Sequence, residues 1–183
     1  MRPHFELRSG VRHFKHAGPA RLPRLLDCEV ACSQELRVEL ASGSQVAESL
    51  LAVLERCRYQ SAVGRVLWGS ACALAYHRMV TTSDSQRPYD YGKPVELTGP
   101  VTFISGALTV GRDASGAPLL HCHAGMLDSL GQQHGGHLVL QRVVVGSEPL
   151  VLRLCLFEHV AYQVQPDTET HFNLLHPVIK EAS

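Results

Sequence analysis

Between residues 95 and 164 the chain is written in short apolar runs separated by turn residues, and this commits it to a β-sheet. Residues 95–97, 101–110 and 119–124 alternate with a period of two. Residues 136–146 and 150–164 read as two further strands, the second long enough to need a bend. Upstream, 36–40, 62–68 and 71–80 read the same way, with Gly69-Ser70 offering a hairpin-type turn. Helical spacing is confined to 45–58, where Val46, Leu50, Val53, Leu54 and Cys57 share one face and Gly43-Ser44 supplies a turn and an N-cap. Residues 81–93 read as a long loop and 166–176 as a polar tail. Eight or so strands and one helix predict a sheet-dominated α+β fold. Trp68, Tyr76, Phe103 and Phe157 fall in strand patterns and are expected in the core.

One strand carries chemistry. His121 and His123 stand two residues apart, so in a strand they share a face while Cys122 points to the other. Gly135-Gly136-His137-Leu138 follows, and a third imidazole delivered by the next strand completes a three-histidine face. Three histidines with one open position is a ligand set of catalytic zinc. The glycine pair lets a backbone pass close by, where a Cβ would clash. His134 is read as loop surface.

A length of 183 residues suits one domain, and 45% hydrophobic residues suffice for a core. The formal net charge of zero argues against a strongly basic nucleic-acid binder. Eleven histidines make the charge sensitive to pH near neutrality. The six cysteines include no C-x-x-C pair, and Cys57, Cys72 and Cys155 lie singly inside apolar runs, which points to buried thiols in a reducing compartment. No secretory-type apolar run and no membrane-length segment occurs, so a cytoplasmic protein without membrane contact is expected. Residues 1–30 differ from the rest: Arg2, Arg8, Arg12, Lys15, Arg21 and Arg24 face only Glu6 up to about residue 26, and proline and glycine interrupt any pattern. This reads as an extended basic arm before a single folded unit over 31–183.

Taken in order, Gly43…Leu50-Leu51, Gly69-Ser70, Leu97…Ile104-Ser105-Gly106, His121-x-His123 and Gly135-Gly136-His137-Leu138 resemble the plant and prokaryote conserved domain over about residues 35–165. The resemblance implies a strongly bent antiparallel sheet with one main helix, assembled as a homotrimer. The apolar runs 139–145 and 151–157 would suit a buried interface between its subunits. Plant members join the domain to AT-hooks and bind DNA, and prokaryotic members often carry the DNA-binding label by analogy. This chain has no AT-hook, and the plant Gly-Arg-Phe-Glu-Ile-Leu segment is here Gly99-Pro100-Val101-Thr102-Phe103-Ile104. A more distant resemblance, to the acetolactate decarboxylases, implies zinc or another divalent metal on His121, His123 and His137. The cupin His-x-His differs in placing a Glu where Leu127 stands.

Two functional classes follow. One is an interaction module, a trimer binding DNA through its basic arm. The other is a metal-dependent enzyme or small-ligand binder acting on a carbonyl or carboxylate compound beside the three histidines. For the second, Glu96, Asp128 and Glu158 are candidate proton donors or acceptors, and Arg65 and Arg142 candidate carboxylate clamps. The histidines also admit a structural reading, as satisfied polar groups at a subunit seam.

Overall fold

The computed structural model describes residues 16–23 and 33–179. Most of the expected basic arm lies outside the described residues. In chain order the elements are β1 (Ser33–Leu40), α1 (Val46–Cys57), β2 (Ser61–Trp68), β3 (Ser70–His77), β4 (Met79–Thr81), β5 (Tyr89–Tyr91) and β6 (Val95–Arg112). They continue with β7 (Pro118–Leu127), β8 (Gln133–Leu138), a 3-10 turn (Leu140–Arg142), β9 (Val144–Val145), β10 (Leu150–Phe157), β11 (Val160–Pro166) and β12 (Asn173–Ile179). Ten strands form one sheet whose main order is β1-β10-β2-β6-β7-β8-β3-β9, with β4 and β5 forming a separate pair. The ladder β6-β7-β8-β3 returns to β6, so this part of the sheet closes on itself. The expected bent, mostly antiparallel sheet with one main helix is therefore observed.

The bend is built around β6, an 18-residue strand that joins the two runs read separately in the sequence. Its first half pairs with β3 and its second half with β2. Gly99-Pro100 is taken up in a bulge opposite Ala71–Ala73. Gly69-Ser70 is consequently not a hairpin turn. β2 and β3 lie end to end along β6, and Gly69 is the corner between them, with φ +134°. A Cβ there would meet Leu150 Cα and Pro149 O, both at 2.6 Å, so only glycine lets the corner press against the start of β10.

α1 covers the face of the sheet opposite the histidines, the face to which Cys122 points. Val46, Leu50, Val53 and Leu54 are buried in one cluster with Leu108, Cys122, Leu138, Leu152 and Leu154. The N-cap is Gln45, whose Oε1 accepts from Glu48 N at 2.7 Å, and not Ser44, whose hydroxyl donates back to Ala41 O. The run read as a strand over 136–146 breaks into β8, the 3-10 turn and β9. Runs 139–145 and 151–157, expected to suit a subunit interface, instead place Val143, Val145, Leu152, Leu154 and Leu156 in this chain's own core.

Further differences concern the surface. Trp68, expected in the core, is 49% exposed, with Arg37 Cζ 4.9 Å from its ring centre. Phe157 is only half-buried, while Tyr76 and Phe103 are buried as expected. Cys122 is buried and Cys57 and Cys155 half-buried, but Cys72 is exposed; all four are free thiols. The tail over 166–176 is largely structured: β12 pairs antiparallel with β11. Residues 16–23 lie against this hairpin. Arg21 Nη1 is 2.7 Å from His176 Nε2 and 3.5 Å from Asp167 Oδ1. Among the described residues no helix is long and apolar enough to cross a membrane.

Candidate metal centre

Alternation along β7 sends Cys122 into the core and leaves His121 half-buried and His123 exposed on the opposite face. The β7–β8 turn then fixes which residue of β8 arrives beside them. Asp128 Oδ1 accepts from Leu130 N at 2.9 Å and Gln132 N at 2.8 Å, which holds the turn. The resulting register sets His137 opposite His123. Ring centroids are 4.9 Å apart for His121–His123, 4.6 Å for His121–His137 and 5.3 Å for His123–His137. One ring nitrogen from each lies within 4.8 Å of the others.

Gly136 lets β3 close over this strand. A Cβ on Gly136 would stand 2.2 Å from His77 O, whereas one on Gly135 would come no closer than 3.3 Å, to Ala124 O. The expected close backbone approach is thus found at Gly136 alone. It carries His77 into register opposite His137. His77 Nδ1 donates to Gly92 O at 2.8 Å. Tyr91 is brought in by the β4–β5 pair, its hydroxyl 3.3 Å from His137 Nδ1 and its ring centroid 4.9 Å from that imidazole.

Partial desolvation is the main influence on these imidazoles, including that of His123, whose side chain still reaches solvent. It lowers the pKa of His121 and His123, and the neighbouring His123 lowers His121 further. In His137 burial, reinforced by His121, His123 and His77, brings the value down to about 4. The three rings are therefore neutral near pH 7, with nitrogen lone pairs free to accept a proton or bind a metal. The unfolded chain takes up protons below pH 6.5 that the folded centre resists, so the metal-free protein is expected to lose stability as pH falls from 6.5 toward about 4. Allowing for solvent screening, the loss is on the order of 1 kcal/mol. Denaturant titrations in chelator across this range, compared with His137→Gln, measure it; parallel profiles for the two proteins would contradict it.

The candidate acids, bases and clamps are mostly elsewhere. Glu96 pairs with Arg142 Nη2 at 2.6 Å on the surface. Glu158 lies 3.9 Å from His159 Nε2. Asp128 is a turn residue whose Oδ2 accepts from His134 Nε2 at 3.0 Å, and this bond holds its carboxyl below the usual range. His134 is on β8 rather than a loop and is half-buried, its Nδ1 3.0 Å from the Tyr76 hydroxyl. Arg65 alone shares the row of the centre: it pairs with Ala107, which pairs with His123. His77 and Tyr91 escaped the sequence reading. Their sequence signal is weak, because only the strand pairings bring them to the centre.

A cavity of about 620 Å³ opens beside His121 and His137. Its lining includes Met79 and Tyr91, Thr109 and Leu119, and, from the C-terminal hairpin and the turn before β12, Leu174 and Phe172.

The sequence matches the model of the Plants and Prokaryotes Conserved (PCC) domain over residues 29–153. No curated protein matches it. Among solved structures, it is similar to a Ralstonia eutropha protein named "Putative DNA-binding protein", with a TM-score of 0.62, 18% identity, and 76% of this chain and 89% of that one covered. It is similar to a plant- and prokaryote-conserved (PPC) protein of Pyrococcus horikoshii, with a TM-score of 0.61, 17% identity, and 82% and 94% covered. A metal-containing protein of Archaeoglobus fulgidus gives a TM-score of 0.60 at 20% identity, with 84% and 99% covered.

Proposed function

The chain belongs to the Plants and Prokaryotes Conserved domain family, and from that premise we propose that it holds a divalent metal, foremost zinc, on His121, His123 and His137 and binds the carbonyl or carboxylate of a small molecule there. The observation that carries this reading is the meeting of three imidazoles whose ring nitrogens lie within 4.8 Å of one another, two of them, His121 and His137, lining a cavity. The donor set fits: three histidines leave a tetrahedral ion one further position. A bound divalent ion would supply Lewis acidity toward an oxygen ligand. The name of the Archaeoglobus fulgidus relative, a metal-containing protein of the same fold, agrees with it.

The chain's own groups have distinct parts. His121 and His123 are held by one strand, so their spacing is rigid. Tyr91 engages Nδ1 of His137, which would leave Nε2 to hold a metal. Burial of His121 and His137 keeps both unprotonated at neutral pH. Arg65, in line with His123 across Ala107, stands about 10 Å away by strand spacing, within reach of a ligand that projects out of the centre. Tyr91→Phe is expected to weaken zinc binding roughly tenfold, in the range for loss of such a partner to a ligating histidine. Competition with a chromophoric chelator measures it; an unchanged affinity would remove Tyr91 from the centre. The reading includes assembly as a homotrimer, which light scattering checks directly.

A second reading, duplex DNA binding, is favoured by one structural observation. Arg37, Arg153 and Arg65 stand in a single cross-strand row on the exposed face of β1, β10 and β2, with Trp68 against Arg37. Glu35 and Glu39 pair with Arg153 and Arg37 and temper that charge. If this row binds phosphate, affinity falls steeply with salt and Arg65→Ala weakens it. Absence of binding at about 50 mM salt would exclude this reading.

A further inference from the structure

The lining of the cavity narrows the ligand. Of the described residues that face it, none is Lys, Arg, Asp or Glu. Its polar groups are hydroxyls, one amide and imidazoles, among them Thr109, Thr170 and Asn173. Its apolar wall comes from two elements that the strand pattern alone does not reveal. The β11–β12 hairpin contributes Val164, Leu174 and Leu175, and the adjoining turn contributes Phe172. Phe172 is braced edge-on by Tyr91 at 6.0 Å, so the two walls meet near His137.

A charged group set against these described lining residues would lose water without gaining a counter-ion from them, and the Arg87 guanidinium, 4.3 Å from the Phe172 ring centre, is already paired with Asp90. Phosphate esters, nucleotides and dicarboxylates are therefore poor occupants. A hydrocarbon body loses nothing and covers apolar wall. A volume of about 620 Å³ lies within the range of small-molecule sites. Resting on the metal reading above, we propose that this cavity selects a monocarboxylate, its single oxygen head at the three-histidine centre and an uncharged hydrocarbon body against Phe172 and Leu174. The C-terminal hairpin is then the part of the fold that sets specificity.

The full-length chain loaded with cobalt(II) tests this. The visible spectrum of the ion reports loading before any ligand is added, and its change on titration reports the head group. Straight-chain acids from acetate to octanoate are titrated against dicarboxylates of equal length. The dissociation constant is expected to fall about three- to fourfold per added methylene. Octanedioate is expected to bind at least about tenfold more weakly than octanoate. Leu174→Asp, at a position 39% exposed and outside the core cluster, should flatten the chain-length series at equal cobalt loading. A flat series in the unsubstituted chain, or a dicarboxylate that binds as tightly as the monocarboxylate, overturns the proposal. If the chain takes up no cobalt, the metal reading fails separately. The same acids are then followed by ligand-observed NMR on the metal-free chain, where graded binding lost in Leu174→Asp supports the hydrocarbon site and its absence overturns it.

Discussion

Gly136→Ala is expected to lower stability by about 3 kcal/mol or more, an effect at or beyond the upper end of ordinary overpacking. The added methyl would stand 2.2 Å from His77 O and 3.0 Å from Tyr76 Cδ2. Neither neighbour can yield cheaply. His77 is the last residue of β3, held in register with His137, and Tyr76 is 2% exposed and paired with both Leu138 and Val95. Opening the β3–β8 contact would also move His137, so metal affinity should fall with stability. Gly135→Ala is the control: its Cβ would meet Ala124 O at 3.3 Å, a contact relieved by a shift of a few tenths of an ångström, and a loss of about 1 kcal/mol is expected. Denaturant unfolding of the three proteins decides it. Equal stability of the two variants would show that the close approach at Gly136 is not a constraint.

How far the sequence disclosed this arrangement depends on the range of the contact. The shared face of His121 and His123 follows from strand geometry alone, and the burial of Cys122 follows with it. The α-helix of the described residues was legible because Val46, Leu50, Val53 and Leu54 keep helical spacing in an otherwise alternating chain. Gly69-Ser70 misled because a glycine at a corner and a glycine in a hairpin look alike locally; the pairing of both flanking strands with one long partner distinguishes them. Trp68 shows the same limit, since a strand pattern gives alternation but does not say which face is covered. Tyr91, His77 and the C-terminal hairpin arrive by pairings distant in sequence. Tyr91 reaches His137 across 46 positions, through a two-stranded pair too short to show any period. The ligands of the proposed centre were therefore readable, and its supporting residues and cavity were not.

The double variant His121→Ala, His123→Ala should lose zinc affinity on the order of a thousandfold or more, because it leaves one imidazole of three. His121 is only half-buried and His123 exposed, so removing the rings leaves no large cavity, and in chelator the variant should unfold near the unsubstituted protein. A single His137→Ala, which leaves the two imidazoles of one strand, should cost less than the double variant but still on the order of a hundredfold. Added zinc should raise the midpoint of unfolding of the unsubstituted chain and leave the variants unmoved. Variants that kept full affinity would place the metal elsewhere.

The most direct measurement is the metal content of the purified, full-length protein by elemental mass spectrometry, without added metal and after reconstitution with zinc. The account predicts close to one divalent ion per chain, retained through dialysis and absent from the double variant. A chain that carries none and takes up none on reconstitution would contradict it, and would leave the three histidines as a structural cluster on the face of the sheet.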